Sequence, residues 1–253
     1  MTSVWSESPL LVVSDLDGTL SEIAPRPQLA TWVEGAPEVL KALVALPKVT
    51  AAIVTGRSLD DVLERTRGIE PLWLICEHGA VVRDPDGTIT RTALEPEEQA
   101  ALEATATELE AFDQGVFVER KERGIAVHTR GCSPEVQNEA LERVLVLSES
   151  TPHVRLDVLR GRQVIEVRPG EPSKRVAVER LIQRVRAQGF IAAGDDAPDL
   201  PMLSLVHHVP AGRSYLIRSE EGPLPPAWVH RLPSPKAWVR LLAKLVRYRE
   251  AFL

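Results

Sequence analysis

Leu10–Leu20 reads Leu-Leu-Val-Val-Ser-Asp-Leu-Asp-Gly-Thr-Leu. The apolar run Leu10–Val13 stops abruptly at two carboxylates, Asp15 and Asp17, with Gly18 and Thr19 behind them. A run this short and this apolar, among other strand and helix patterns, predicts a buried strand of a parallel sheet. Open sheets of that kind hold ligands just past the carboxyl ends of their strands. Two acids at such an edge repel each other and lose solvation, a cost that a cation between them removes. Hard oxygen ligands suit Mg²⁺. The stretch therefore predicts an Asp nucleophile, an acid/base Asp and a magnesium-bound phosphate.

Downstream, strand and helix patterns alternate. Pro37 opens a helical spacing of Val39, Leu40, Leu43, Val44 and Leu46, and Pro47 stops it. Val49–Val54 is a second apolar run, ending in Thr55-Gly56-Arg57. Ser58, with Asp61 three residues later, has the form of a capping box for a helix to about Arg67. Leu72–Cys76 is a third run, ending in Glu77-His78-Gly79. This order predicts a doubly wound α/β core. Ala80–Arg83 and Thr88–Thr92 flank the turn Asp84-Pro85-Asp86-Gly87 and form a small hairpin.

The pattern changes between Glu95 and Pro169. Pro96–Phe112 and Pro134–Leu147 read as helices. Val116–Lys121 with Ile125–Arg130, and Val154–Leu159 with Gln163–Arg168, read as hairpins. Two αββ units predict an α+β insert over 95–169 within a core of 1–94 and 170–253. Pro169-Gly170-Glu171-Pro172 forms the exit. Ser173 then caps a helix carrying Lys174, and Phe190–Ala193 is a strand ending in Gly194-Asp195-Asp196, with Asp199 close behind. His207–Pro210 and Tyr215–Arg218 read as further strands. Ser234 and Pro235 open a last amphipathic helix with Trp238, Leu241, Leu242, Leu245 and Val246.

The 253 residues suffice for a large domain or a core with an insert. A net charge of −6 argues against a general nucleic-acid surface, yet leaves room for an anionic substrate held by a local cluster and a metal. No apolar run approaches the roughly 18 residues of a membrane span. Met1–Pro9 lacks the basic and apolar regions of a signal peptide. The expected protein is cytoplasmic, a monomer or weak dimer, with neither nucleic acid nor membrane as partner. Cys76 and Cys132 lack metal-ligand spacing and read as structural thiols.

Asp15/Asp17, Thr55, Lys174 and Asp195/Asp199 all fall at strand ends or a helix start. Phosphoryl transfer needs positioning and charge neutralisation more than covalent help. One carboxylate can attack phosphorus, and a second can protonate the leaving alkoxide and then deprotonate water. A hydroxyl and an ammonium can hold phosphate oxygens. Lys174 opposes the macrodipole of the helix it opens, which a nearby anion explains better than solvent does.

This set resembles the haloacid dehalogenase superfamily: Asp-Leu-Asp-Gly-Thr-Leu at 15–20, Thr-Gly-Arg at 55–57, Lys174, and Gly-Asp-Asp with Asp199 at 194–199. The resemblance implies that Asp15 is the nucleophile and Asp17 the general acid/base. It implies that Thr55, Gly56 and Lys174 bind phosphate. Mg²⁺ would be held by Asp15, Asp195 and the backbone carbonyl of Asp17, with Asp196 and Asp199 in support. The insert at 95–169 would be a substrate-selecting cap.

Within that superfamily the chain is similar to the trehalose-6-phosphate phosphatases. The residues that carry this are Glu77-His78-Gly79-Ala80, Glu119-Arg120-Lys121 before His128-Thr129-Arg130, and Glu166-Val167-Arg168-Pro169. The similarity implies a phosphorylated disaccharide as substrate, contacted by Arg57, Glu77, His78, Gly79, Glu119, Lys121, His128, Arg130, Glu166 and Arg168. The chain departs from the family pattern at Leu16, Thr129, Arg175 and Ala197-Pro198, and none of these removes a catalytic group.

Read from the residues alone, His78 serves equally as a packed loop residue or a ligand. The alternating charges on the insert strands fit a solvated face as well as a sugar pocket. All five tryptophans lie outside 95–169, so no aromatic platform is expected there. Rival functions are phosphatases of other glycosyl phosphates (mannosyl- or glucosyl-3-phosphoglycerate, glucosylglycerol phosphate), a sugar phosphotransferase, and a non-catalytic sensor that the intact Asp15 and Asp17 argue against.

Overall fold

The computed structural model describes residues 4–24, 29–112, 114–121, 123–150, 154–161, 163–170, 173–218 and 223–251. Pro25 and Pro27, in the proline-rich loop that 21–31 predicts, Glu122 and Arg162, in the turns expected within the two hairpins, and Glu171 and Pro172 of the exit lie outside the described residues. In chain order the elements are β1 (Leu10–Ser14), α1 (Ala36–Ala45), β2 (Val49–Val54), α2 (Leu59–Arg65), β3 (Trp73–Cys76), β4 (Val81–Arg83) and β5 (Ile89–Arg91). There follow α3 (Pro96–Glu110), β6 (Phe117–Lys121), β7 (Gly124–His128), α4 (Pro134–Glu149), β8 (Leu156–Gly161) and β9 (Val164–Pro169). The chain ends with α5 (Lys174–Val185), β10 (Gly189–Gly194), α6 (Leu200–Leu203), β11 (Ala211–Ile217), β12 (His230–Leu232) and α7 (Pro235–Glu250).

These elements form two compact units, Met1–Arg91 with Ser173–Leu253, and Thr92–Pro172. The first holds one sheet in the order β12-β11-β10-β1-β2-β3-β4-β5. The strands from β12 to β3 run parallel, and β4 and β5 are antiparallel. Every side chain of β1 is buried, because both faces of the strand are covered. Leu10 and Val12 face the layer of α1 and α7, with Leu43, Trp238 and Leu242. Leu11 and Val13 face Val178 and Leu181 of α5 and Met202 and Leu203 of α6. Each such Leu or Val contributes about 1.5–3 kcal/mol by leaving water.

β1 is also where the winding reverses. The chain runs from β1 to β2 and β3 on one side, and later from β10 to β11 and β12 on the other. The crevice beyond the carboxyl ends of β1 and β10 is therefore the switch point of the sheet. Register aligns those ends: Ser14 lies opposite Ala193, and the Asp15 N–H donates to the Ala193 carbonyl at 2.9 Å.

The segment His207–Pro210, expected as a strand, is a correction. Ser204–His208 is a 3₁₀ turn that continues directly from α6. The ladder position beside β10 is taken by β11, whose Ala211 pairs with Gly189. Val206 lies so close to Gly212 that a Cβ there would meet its side chain at 2.5 Å.

The second unit has a four-stranded antiparallel sheet, β6-β7-β9-β8. Helices α3 and α4 cover one face through Leu102, Ala106, Leu109, Ala140 and Val144, packed on Ile125, Val127, Ile165 and Val167. Ser133 caps α4, accepting the N–H of Val136. Among the described residues no helix is long and apolar enough to cross a membrane.

Candidate active site

The end of β1 presents Asp15, buried, and the end of β10 presents Asp195, also buried. Gly18 makes their approach possible. It has φ +77°, and a Cβ on it would meet Asp195 Oδ2 at 2.1 Å. Lys174 arrives from the start of α5, whose cap is Ser173. Its Nζ donates to Asp15 Oδ1 and to Asp199 Oδ1, each at 2.7 Å. The other oxygen of Asp199 accepts the backbone N–H groups of Asp195 at 3.0 Å and Asp196 at 3.2 Å. Asp196 accepts from the Ala197 N–H at 2.7 Å and so caps the turn that carries Asp199.

Asp15, Asp195 and Asp199 each offer a carboxylate oxygen, and these atoms lie within 4.8 Å of one another. Burial, and then the nearby Asp199 charge, push the Asp15 carboxyl well above the usual carboxylate range. Burial works against the charge on Lys174, but Asp15 and Asp199 outweigh it and hold the ammonium above its ordinary value. Among the described residues the three acids gather around the single ammonium of Lys174. The donor set is all oxygen, which fits a small hard divalent cation.

Asp17 is half-exposed and takes a different partner. Arg57 donates to both its oxygens, Nε to Oδ2 and Nη2 to Oδ1, each at 2.6 Å. Ser21 Oγ adds a donor to Oδ1 at 3.2 Å. Burial opposes the Arg57 charge, but bonds to Asp17 and Asp61 hold it above its ordinary value. Arg57, expected at the substrate, is thus placed on the side chain expected to be the acid/base. Around Gly56, the Arg57 N–H donates to Thr55 Oγ1 at 3.1 Å.

The turn Glu77–Gly79 follows β3 and is fastened to the same loop. The Glu77 N–H donates to the Arg57 carbonyl and the His78 N–H to the Thr55 carbonyl, each at 3.0 Å. Glu77 and His78 both have positive φ, 47° and 56°, a conformation that costs free energy in residues other than glycine. Gly79 sits against the Ser173 carbonyl, where a Cβ would approach to 2.7 Å. The turn is therefore wedged against the residue that launches Lys174. Cys76, one residue earlier, is buried, and that burial pushes its thiol well above the usual range.

In the second unit the sheet face opposite the helices gathers Glu119, Lys121, His128, Glu166 and Arg168, as strand alternation requires. Small residues on the central strand, Gly124 and Ala126, let Lys121 and Glu166 reach over it and pair at 2.5 Å. Glu119 Oε2 lies 2.8 Å from His128 Nε2, and this bond holds the Glu119 carboxyl below its usual range. Phe117 stacks on His128, with centroids 5.5 Å apart and an interplanar angle of 29°. Arg130 stands two residues beyond β7.

Asp61, Ser14 and Trp238 carry contacts next to the site residues that their place in the sequence does not by itself announce. The i,i+4 spacing of Arg57 and Asp61 is a signal that finds one of these contacts. Trp238 Nε1 donates to Ser14 Oγ at 2.9 Å, and Ser14 Oγ donates to the Asp15 carbonyl at 2.9 Å. No pattern in the sequence links residues so far apart.

A family model described as trehalose-phosphatase matches residues 13–219. The bifunctional trehalose-6-phosphate synthase/phosphatase of Thermoproteus tenax is 31% identical over 215 residues, covering 84% of this chain and 29% of that protein. The trehalose-phosphate phosphatase of Mycobacterium leprae is 32% identical over 93% of this chain and 57% of its own length. The chain thus spans little more than half of that relative. Among solved structures, the C-terminal domain of Candida albicans trehalose-6-phosphate phosphatase superposes with a TM-score of 0.85 at 21% identity, covering 97% of this chain and 95% of that one. A phosphatase of the haloalkanoate (HAD) superfamily from Bacteroides thetaiotaomicron superposes with a TM-score of 0.64 at 18% identity, covering 97% and 98%. Identities this low speak for the fold, and it is the family model and the curated relatives that speak for descent. By those, the chain belongs to the trehalose-phosphatase family.

Proposed function

We propose that the chain is a Mg²⁺-dependent phosphatase that hydrolyses trehalose 6-phosphate to trehalose and phosphate. The observation that carries this reading is the buried contact of Lys174 with Asp15 and Asp199, beside Asp195, at the switch point of the sheet. Asp15 attacks phosphorus, and the bond to the sugar oxygen breaks as Asp17 gives that oxygen a proton. Asp17 then takes a proton from the water that attacks the aspartyl phosphate, which frees phosphate and restores Asp15. Lys174 and the Thr55–Gly56 loop hold phosphate oxygens, and Asp199 keeps Lys174 in place. Asp15, Asp195 and the Asp17 carbonyl would hold Mg²⁺, which when bound neutralises charge on the phosphoryl oxygens. Glu77, His78 and Gly79 in the first unit, and the insert at 95–169 with its charged sheet face, are each assigned contacts to the sugar.

Phosphate release with Mg²⁺ across trehalose 6-phosphate, glucosyl- and mannosyl-3-phosphoglycerate and glucosylglycerol phosphate tests this reading. Trehalose 6-phosphate is expected to give the highest kcat/KM. A higher value for any other member reassigns the substrate, and phosphate release that depends on an acceptor sugar reassigns the reaction to transfer.

Mg²⁺ is expected to raise the Tm of the metal-free protein by about 5–10 °C at a hundredfold excess over Kd. EDTA is expected to reverse that shift and stop turnover. Activity that survives chelation contradicts the metal assignment.

Lys121→Ala removes an ion-pair partner of Glu166 on the sheet face. Its kcat/KM for the sugar phosphate is expected to fall about 10–100-fold, mostly through KM, while a small aryl phosphate changes little. Equal losses on both substrates contradict sugar selection by that face.

A further inference from the structure

Asp61 stands three residues after Ser58, where its spacing predicts the reciprocal half of a capping box. Ser58 does its part by accepting the Asp61 backbone N–H. The Asp61 carboxylate goes elsewhere. Its Oδ2 accepts Arg57 Nη1 at 2.6 Å, and its two oxygens accept Arg65 Nε at 3.1 and 3.2 Å. Arg65 Nη1 donates in turn to the Ala30 carbonyl at 2.8 Å. On the other side of the guanidinium, Arg57 grips both oxygens of Asp17. The result is a line of alternating charge, Asp17–Arg57–Asp61–Arg65, tied to backbone at its far end.

The line crosses from half-exposed to buried. The Asp17 side chain is 40% exposed, whereas that of Arg57 is 8% exposed. A half-exposed carboxylate on a loop samples several rotamers unless its donors are themselves fixed. A proton donor works only within about 2.6–3.2 Å of the leaving oxygen, so a wandering rotamer costs rate. A guanidinium bound at one end can swing with its partner. One gripped from both ends holds a plane, and its planar fork passes that orientation to the carboxylate.

We infer that Asp61 is a positioning residue for the hydrolysis: it fixes the Arg57 guanidinium, which fixes the carboxylate of Asp17. This rests on the proposed acid/base role of Asp17. The competing account is that the Arg57–Asp61 pair only fastens α2 to its preceding loop.

The test uses Asp61→Asn, Asp61→Glu and Asp17→Asn in the full chain, with trehalose 6-phosphate and with p-nitrophenyl phosphate. Asn keeps the shape of Asp61 and leaves the Ser58 cap intact. Nitrophenolate leaves without a proton, so its first turnover does not need the acid. Asp61→Asn is expected to lower kcat on the sugar phosphate about 10–100-fold with KM within about twofold. The pre-steady-state burst of nitrophenolate is expected to keep its wild-type rate and amplitude. Asp61→Glu is expected to recover part of kcat. An unchanged kcat, or equal losses in the burst and in sugar-phosphate turnover with a lowered Tm, overturns the inference in favour of a structural fastening. If Asp17→Asn keeps wild-type activity, the acid/base reading itself falls, and the inference with it.

Discussion

Asp15→Asn is expected to abolish turnover, by about 10⁴-fold or more, while the protein stays folded. The amide cannot attack phosphorus, and it removes one of three carboxylates whose oxygens converge within 4.8 Å. It does not remove bulk, and Asp15 is buried beside groups that pull in opposite directions. Lys174 favours its charge, while burial and Asp199 oppose it. A neutral isostere relieves the second pair of effects, so Tm without metal is expected to hold or rise. The Mg²⁺-dependent rise in Tm is expected to shrink. Circular dichroism, thermal denaturation with and without Mg²⁺, and phosphate release measure all three. Turnover close to wild type contradicts the mechanism, and a lost fold makes Asp15 a structural residue.

Lys174→Met is expected to act on stability and activity together. The Lys174 ammonium is the donor that meets Asp15 and Asp199 at 2.7 Å each. Removing one partner of a buried ion pair strands the other, at a cost of about 3–5 kcal/mol. For a protein of this size that lowers Tm by roughly 10 °C. Loss of a preorganised donor at the phosphoryl group lowers kcat by about 10²–10³-fold. Removing the ammonium also leaves the acids with more uncompensated charge, so Mg²⁺ is expected to stabilise this variant more than the wild type. Weaker Mg²⁺ stabilisation in Lys174→Met contradicts the account of the cluster.

The sheet was legible because its central strands are short unbroken apolar runs. β1, β2, β3 and β10 each end in residues that the folded chain collects at the switch point. β12 was not legible. His230–Leu232 is three mostly exposed residues at the sheet edge, with no periodicity to detect. α6 is a four-residue helix holding a proline, and it too falls below what a pattern shows. At the site, Asp15, Asp17 and Asp195 were legible because acids just past the ends of apolar strands are conspicuous, and Lys174 because it opposes the dipole of the helix it opens. The reason for Gly18 was not. That glycine is required by Asp195, a residue brought close only by the pairing of β1 with β10. The destination of Arg57 was also hidden, because an arginine after a strand can reach substrate or a neighbouring acid, and only the fold puts Asp17 at its fork. Asp61 was claimed by its spacing from Ser58, but its carboxylate pairs instead with Arg57 and Arg65, each four residues away.

The covalent step at Asp15 is the centre of the mechanism. The protein and trehalose 6-phosphate are mixed with Mg²⁺ at stoichiometric concentrations and quenched in acid within the first turnover. Borohydride then reduces any acyl phosphate to the corresponding alcohol, and the position is read by peptide mass mapping. Conversion of Asp15 to homoserine, absent without substrate, is the result expected. Phosphate released in the same turnover with Asp15 unmodified, or conversion at any other carboxylate, contradicts it.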